Sequence, residues 1–203
     1  MERQWKRHLP AGCAGLGVLA LAACVGVCAG LERGTSGDRL GAAAVLILCA
    51  ALALGLLRLE GCRWETMLVM VLSVGAAMLV RALCMDYASL DYKNFLSQWY
   101  QYFKANGGFA AIAGSVGDYN APYLYFMAAI SYSSAPDLYL IKLFSILGDV
   151  GLAWGCLRLT RSLVRERQGS AAPLIAFGTA LLLPTAVLNG AYWGQCDVIY
   201  GAL

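Results

Sequence analysis

The chain contains three long stretches that are almost free of charged residues. Leu9 to Leu31 is 23 residues without a charge, and Leu40 to Leu57 is another 18. Met67 to Met85 is 19 residues with Arg81 as its one charged side chain. A helix needs about 20 apolar residues to cross the hydrocarbon core of a bilayer. Each stretch therefore predicts a transmembrane helix.

The composition agrees with this prediction. Hydrophobic residues make up 60% of the 203 residues, charged residues only 13%, and the mean hydropathy is +0.65. Soluble domains carry about 25% charged residues, so an ordinary cytosolic enzyme is excluded. The net charge of +3 is scattered without a basic stripe, which excludes a nucleic-acid binder. The expected fold class is all-α, a polytopic transmembrane helical bundle with amphipathic juxtamembrane helices in the first large external loop.

Further spans follow in the second half of the chain. Leu138 to Leu157 is apolar except for Lys142 and Asp149, and Ala171 to Leu188 is uncharged. A sixth helix is expected to begin after Asp197. The segment 121–135 is apolar but only 15 residues long. It would reach about 22 Å as a helix, short of the roughly 30 Å required.

Basic residues predict the orientation, because cytoplasmic loops are enriched in Lys and Arg. The N-terminus carries Arg3, Lys6 and Arg7 and should be cytoplasmic. Three crossings then place the loop after residue 85 outside. The densest basic cluster should lie inside: Arg158, Arg161, Arg165 and Arg167. This arrangement requires one crossing between loop and cluster, so 121–135 is expected to be a juxtamembrane or re-entrant helix.

The predicted organisation has three parts. Residues 1–85 form three N-terminal transmembrane helices. Residues 86–136 form an external loop with an amphipathic helix at 91–105 and the juxtamembrane helix at 121–135. Residues 137–203 form further transmembrane helices with an external turn at 189–197. The last residues are apolar without a polar tail, so we expect the chain to be the front part of a longer protein.

The amphipathic helix 91–105 shows an aromatic pattern. Phe95, Trp99 and Phe103 recur every four positions, which is typical of a helix lying at a membrane interface. Asp91 falls in its first turn, where the helix dipole stabilises a carboxylate. Asp91 is therefore either an N-cap or a functional group.

Charged residues are sorted across the predicted topology. All of the following acids fall on the external face: Asp86, Asp91, Asp118 and Asp197. Lys142 and Asp149 share one face of a helix but lie about 10 Å apart along its axis. Each therefore needs a partner on another helix or water. Lys142 either snorkels to the surface or binds an anionic group there.

Four segments carry a resemblance to a known family. They are DYKNFLSQW at 91–99, NGGF at 106–109, GDYNAPYLY at 117–125 and LPTAVLNGAYWGQCD at 183–197. The first three resemble the first external loop of GT-C-type membrane glycosyltransferases, most of all the bacterial group similar to the second GPI mannosyltransferase. The fourth looks like a second hallmark of that group. The resemblance covers residues 81–203.

The resemblance implies an enzyme that moves a sugar, expected to be mannose, from a polyprenyl-phosphate donor to an acceptor hydroxyl. The resemblance also implies that transfer takes place on the external face and inverts the anomeric carbon. By position, Asp91 matches the loop acid that acts as general base. The residues expected to bind substrate are Asp118, Asn120, Lys142, Trp193, Gln195 and Asp197.

The same resemblance bears on cofactors, partners and location. The leaving phosphate needs a cation, for which Lys142, Arg81 or a divalent metal is a candidate. Asp118 and Asp197 are candidate metal contacts, while no cofactor is certain. The expected partners are the lipid-linked sugar donor and the bilayer. The acceptor, a glycan or a protein, stays open. The expected location is a bacterial plasma membrane, spanned several times.

A different class of function is the alternative. Lys142 and Asp149 lie within a predicted span, and intramembrane charges often mark a permeation path. A non-enzymatic transporter or lipid-handling subunit would use these two residues. A transporter should concentrate its acids within the membrane, whereas a transferase should gather them at the outer surface.

Overall fold

Long apolar helices make up most of the described chain. The structure, a computed structural model, describes residues 2–114, 116, 120–164 and 170–202. The α-helices are α1 (Glu2–Ala29), α2 (Ser36–Leu59), α3 (Trp64–Leu83), α4 (Ser97–Ala105), α5 (Ala121–Ile130), α6 (Asp137–Leu163), α7 (Ala172–Leu182), α8 (Pro184–Val187) and α9 (Val198–Ala202). Two π-helical segments, Tyr92–Leu96 and Leu188–Trp193, and a 3₁₀ segment, Gly108–Ala113, connect some of them. These ranges contain no β-strand, which confirms the all-α prediction.

Within the described residues, five segments are long and apolar enough to cross a bilayer. They are Leu9–Ala29, Ser36–Leu59, Trp64–Leu83, Asp137–Leu163 and Ala172–Trp193. Each overlaps a span expected from the sequence, and α9 begins directly after Asp197 as expected. The segments fit a multi-pass protein whose environment is the lipid bilayer.

Local sequence explains where several of these helices begin. Thr35 and Asp38 form a capping box at the start of α2, in which each side chain accepts a hydrogen bond from the other residue's main-chain N–H. Pro122 lies in the first turn of α5, where its missing N–H costs nothing. Pro184 follows the end of α7 at Leu182, because proline cannot continue the hydrogen-bond ladder of the preceding helix.

The predicted juxtamembrane helix is shorter than 121–135. Helix α5 ends at Ile130, five residues early. The sequence that follows is Ser-Tyr-Ser-Ser-Ala-Pro, where serine side chains compete for main-chain hydrogen bonds and the proline disfavours a helix before it. Ten helical residues rise about 15 Å, half of the hydrocarbon thickness, so α5 does not span.

The amphipathic helix 91–105 is present as the π segment Tyr92–Leu96 and α4. Its aromatic residues do not all lie on one side of the helix. The side packed on the protein consists of Tyr92, Leu96, Tyr100 and Phe103, all buried. Phe95 is half exposed on the other side. The two tyrosines occupy buried positions because their hydroxyls donate to polar partners there, the Asp137 carboxylate at 2.9 Å and the Ser133 carbonyl at 3.3 Å.

Helices α1 and α3 pack with their main chains in contact. A Cβ atom on Gly75 would overlap the carbonyl oxygen of Gly17, and one on Gly17 would overlap the main chain at Val71. Small residues permit this close approach between helices in a membrane, where dispersion contacts hold the pair together. The glycines of α1 and α3 thus set the position of the first span against the third.

Contacts between loops show which loops share an end of the bundle. The main-chain N–H of Glu32, between α1 and α2, donates to Asp86 at 2.9 Å. That of Arg33 donates to the Tyr139 hydroxyl, near the start of α6, at 3.0 Å. At the other end Glu60, between α2 and α3, accepts from Trp154 Nε1 at 3.0 Å. Helix α6 therefore crosses once between the two ends, as the charge argument requires. Which end faces the cytoplasm stays a prediction.

Candidate functional site

Two segments that lie far apart in the sequence meet at the end of the bundle that holds Asp86. Gln195 Nε2 donates to Asp91 Oδ2 at 3.1 Å, across a sequence separation of 104 residues. Ser89 Oγ donates to the carbonyl oxygen of Trp193 at 3.0 Å. We call residues 87–92 together with residues 189–197 the junction. We call residues 86–136 the outer loop, after their predicted location. The junction joins the 91–99 motif of this loop to the 183–197 motif.

Stacked rings form a further contact of the junction. The rings of Tyr87 and Tyr192 lie with centroids 3.6 Å apart and planes 10° from parallel. Tyr87 precedes Ser89 and Tyr192 precedes Trp193, so the ring pair lies next to the hydrogen bond between those residues. The two segments are therefore joined by polar and by apolar contacts.

Asp91 does not cap the helix that follows it. The main-chain N–H of Tyr92 donates instead to Ser89 Oγ at 3.0 Å, and Asp91 makes no side-chain capping bond. The capping interpretation of Asp91 is therefore wrong. Its side chain is exposed and is oriented by Gln195, so the carboxylate lies at the surface of the junction.

The turn 189–197 has a compact main-chain fold. The π segment Leu188–Trp193 ends at Gly194, whose φ of 79° favours glycine. The main-chain N–H of Gln195 then donates to the carbonyl of Asn189 at 2.9 Å. The Asn189 side chain donates to Asp197 Oδ2 at 3.0 Å. These bonds turn the chain back after the π segment and bring Gln195 toward the outer loop.

Lys142 is completely buried below the outer loop. Its Nζ donates to three carbonyl oxygens: Cys84 at 2.6 Å, Met85 at 3.2 Å and Tyr87 at 2.6 Å. These carbonyls follow the end of α3, where intrahelical partners are missing. An ammonium group has three N–H donors, so all three are used. Lys142 does not snorkel into solvent, and in this arrangement it has no donor left for the leaving phosphate, for which it was one of the predicted candidates.

Asp149 and Arg81 form an ion pair inside the bundle, and both side chains are fully buried. Arg81 donates from Nε at 2.9 Å and from one terminal nitrogen at 2.7 Å to the same carboxylate oxygen. Its other terminal nitrogen donates to the carbonyls of Ala77 at 3.1 Å and Leu181 at 2.8 Å. The expectation that Asp149 and Lys142 each find a partner outside their own helix is therefore confirmed.

A second polar cluster lies next to the junction. The Tyr139 hydroxyl donates to Asp86 at 2.5 Å, and the Tyr92 hydroxyl donates to Asp137 at 2.9 Å. Burial and the neighbouring Asp137 carboxylate raise the pKa of Tyr92 to about 12, so this hydroxyl stays protonated at neutral pH. Asp86 is predicted from the sequence, but the two tyrosines are not, because tyrosine at a membrane interface is common.

The remaining predicted residues occupy different positions. Trp193 is half exposed and takes part in the junction through its carbonyl. Asn120 is the residue before α5, and its carbonyl accepts from the Tyr123 N–H at 3.0 Å. Asp118 lies outside the described residues. Within the described ranges no group of three or more His, Cys, Asp or Glu side chains lies close enough together to hold a metal ion.

An apolar groove of about 450 Å³ runs along the side of the bundle. Its walls come from α2, α5 and α6 and include Val45, Leu48, Leu52, Phe126, Leu143 and Leu147. Helix α5 belongs to the same connecting region, between α3 and α6, as Asp91, so the groove begins at the same end of the bundle as the junction.

The sequence matches no family model, and neither a curated protein nor a solved structure is significantly similar to it. The relationship to GT-C-type glycosyltransferases therefore stays a prediction carried by the motifs.

Proposed function

We propose that this protein is a GT-C-type membrane glycosyltransferase that moves a sugar from a polyprenyl-phosphate donor to an acceptor hydroxyl. The proposed sugar is mannose. The observation that carries the proposal is the hydrogen bond from Gln195 to Asp91. The two motifs behind the resemblance are remote in the sequence and adjacent in space, as two parts of one site must be.

Asp91 is proposed as the general base. The acceptor oxygen forms a bond to the anomeric carbon while the bond from that carbon to the phosphate oxygen breaks. The proton of the acceptor hydroxyl passes to the Asp91 carboxylate, which requires hydrogen-bond reach and exposure. Asp91 is exposed, and Gln195 holds one of its oxygens, so the other can face an acceptor.

The apolar groove supports a lipid-linked donor. Every side chain that lines it is apolar, and a polyprenyl chain offers only apolar surface. The groove lies along α2 and α6 within the spans and reaches α5 in the external loop. A lipid bound there would place its phosphate and sugar at the membrane surface near the junction.

The leaving phosphate needs a positive group, and two predicted cations are engaged elsewhere. Lys142 binds three carbonyls and Arg81 binds Asp149. Arg33 and Lys93 lie at the same end as the junction and are exposed. We propose these two side chains, or a divalent metal, for the phosphate and assign Lys142 to holding the outer loop.

A transporter is the weaker candidate. Its permeation path would need Lys142 and Asp149 to face a polar cavity. Both are buried and bonded to protein groups, and the groove beside them is apolar. These contacts favour structural roles for the two charges.

The test is Asp91→Asn in the natural gene product, expressed in membranes and supplied with polyprenyl-phosphate [¹⁴C]mannose. Asparagine keeps the size of the side chain and an oxygen that accepts from Gln195, but it cannot take a proton. Loss of the general base should lower sugar transfer by a factor of about 10² to 10⁴. Glu65→Gln, an exposed acid at the other end of the bundle, is the control and should leave transfer unchanged. Full transfer by Asp91→Asn would contradict the proposal.

A further inference from the structure

The end of the bundle opposite the junction is organised around one carboxylate. Glu60 lies between α2 and α3 and accepts from Trp154 Nε1 at 3.0 Å. Arg161 donates to the Glu60 carboxylate and also, at 3.0 Å, to the Glu60 carbonyl. Arg158 Nε lies 3.8 Å from the same carboxylate. We call Glu60, Trp154, Arg158 and Arg161 the Glu60 cluster.

The cluster carries more positive charge than Glu60 neutralises. Residues 58–65 and 154–164 together contain four arginines and two glutamates. One of those glutamates, Glu65, is paired with Arg63, which leaves Glu60 to face the other three arginines. The side chains of Arg158 and Arg161 are 62% and 47% exposed. These two ranges therefore carry an excess of two positive charges.

Arg158 is held in place without using its hydrogen bonds. Its guanidinium carbon lies 5.4 Å from the centre of the Trp154 ring, a cation–π contact. The 3.8 Å separation from Glu60 is beyond hydrogen-bond range. The Trp154 ring thus covers the planar face of the guanidinium, while the N–H groups along its edge can still donate hydrogen bonds to a ligand. Such an edge suits the bidentate recognition of a phosphate.

The surroundings of the cluster are apolar and exposed. Leu159 and Leu163 lie one turn apart on α6 and are 61% and 76% exposed, and Leu59 is 85% exposed at the end of α2. In a bilayer these side chains contact acyl chains. The available guanidinium edge therefore lies at the boundary between the apolar and the polar layer, where lipid phosphates are found.

We propose that the Glu60 cluster binds the phosphate of an anionic phospholipid, with the acyl chains on Leu159 and Leu163. Arg158 supplies the phosphate contact, and Arg161, fixed by Glu60, supplies the second positive charge. Juxtamembrane arginines attract anionic lipids with about 1 kcal/mol each, which is roughly a fivefold change in affinity. The proposal does not depend on the glycosyltransferase activity.

Native mass spectrometry of the detergent-purified chain tests this directly. Phosphatidylglycerol and phosphatidylcholine with identical acyl chains are titrated separately. We expect tighter binding of phosphatidylglycerol, an affinity about fivefold lower in Arg158→Gln, and no change in Lys104→Gln, which alters an exposed lysine of α4 at the opposite end. Equal binding of the two lipids, or an unchanged affinity in Arg158→Gln, would overturn the proposal.

Two further binding measurements use the wild-type chain, so they do not depend on the folding of a variant. The first distinguishes a site for the whole lipid from a site for its headgroup alone. Glycerol 3-phosphate at millimolar concentration should not displace phosphatidylglycerol, because it lacks the acyl chains. Complete displacement would mean that the cluster is a site for soluble phosphates and not for a lipid. On the wild-type chain, raising the salt concentration should weaken phosphatidylglycerol binding and leave phosphatidylcholine unchanged. A salt-independent preference would contradict the role of the arginines.

Discussion

Arg81 and Asp149 share two hydrogen bonds to a single carboxylate oxygen, 2.9 and 2.7 Å long, with neither side chain accessible to solvent. The pair joins α3 to α6, and the bond from Arg81 to the Leu181 carbonyl adds α7. Three of the five membrane-crossing segments therefore meet at one guanidinium.

Removing one member of this pair should destabilise the protein strongly. Asp149→Leu leaves Arg81 as an unpaired buried charge, which costs about 3–5 kcal/mol. The double variant Arg81→Met with Asp149→Leu should regain most of that loss, because it removes both charges. Thermal unfolding in detergent measures the effect. Disruption of the exposed pair Arg63–Glu65 by Glu65→Gln is the control and should change little. A double variant no more stable than Asp149→Leu would contradict the assigned ion pair.

Lys142→Met should loosen the outer loop without unfolding the bundle. Methionine fills a similar volume, but the carbonyls of residues 84, 85 and 87 lose their common donor. We expect faster amide hydrogen exchange in residues 84–92 and unchanged exchange in α1 and α2. Lys93→Met, which alters an exposed lysine of the same loop, should leave the exchange as it is. Equal protection of residues 84–92 in Lys142→Met would argue that other contacts hold the loop.

The glycine contact between α1 and α3 predicts opposite effects for two similar substitutions. Gly75→Ala places a methyl group against the Gly17 carbonyl and should separate the two helices. Gly55→Ala lies on α2, where nothing is within 4 Å of the added atom. Alanine favours a helix by up to about 1 kcal/mol over glycine, so Gly55→Ala should raise the melting temperature. Gly75→Ala should lower it.

The charge distribution predicts which end of the bundle faces outward. Lys93→Cys lies in the outer loop, and Arg63→Cys lies between α2 and α3; both positions are exposed. A membrane-impermeant maleimide added to intact cells should label Lys93→Cys and spare Arg63→Cys, over the background of the native cysteines. The reverse pattern would place the N-terminus outside.

The sequence predicts the spans well and the contacts between them poorly. An apolar run of the right length specifies a membrane helix almost by itself, which is why all five segments lie where hydropathy places them. The partners of Lys142 lie outside such reasoning. They are main-chain carbonyls at the end of another helix, and carbonyls have no signature in a sequence.

The junction shows the same limit. The outer-loop and 183–197 motifs each point to a site, but their separation gives no reason to pair Gln195 with Asp91. That contact depends on how the spans pack and on the left-handed turn at Gly194. The aromatic residues of 91–105 lie on different sides for a related reason, because the tyrosines find hydroxyl partners on the protein side and Phe95 needs none.

Helix α6 connects the two ends of the bundle mechanically. It is 27 residues long, about 40 Å at 1.5 Å per residue, without an interruption. Tyr139 and Lys142 anchor the outer loop near its start, Asp149 joins the other spans midway, and Arg161 binds Glu60 near its end. A rotation or tilt of this one helix would displace contacts in both leaflets at once. A change at the Glu60 cluster would therefore be transmitted through one rigid helix to the opposite surface of the bundle.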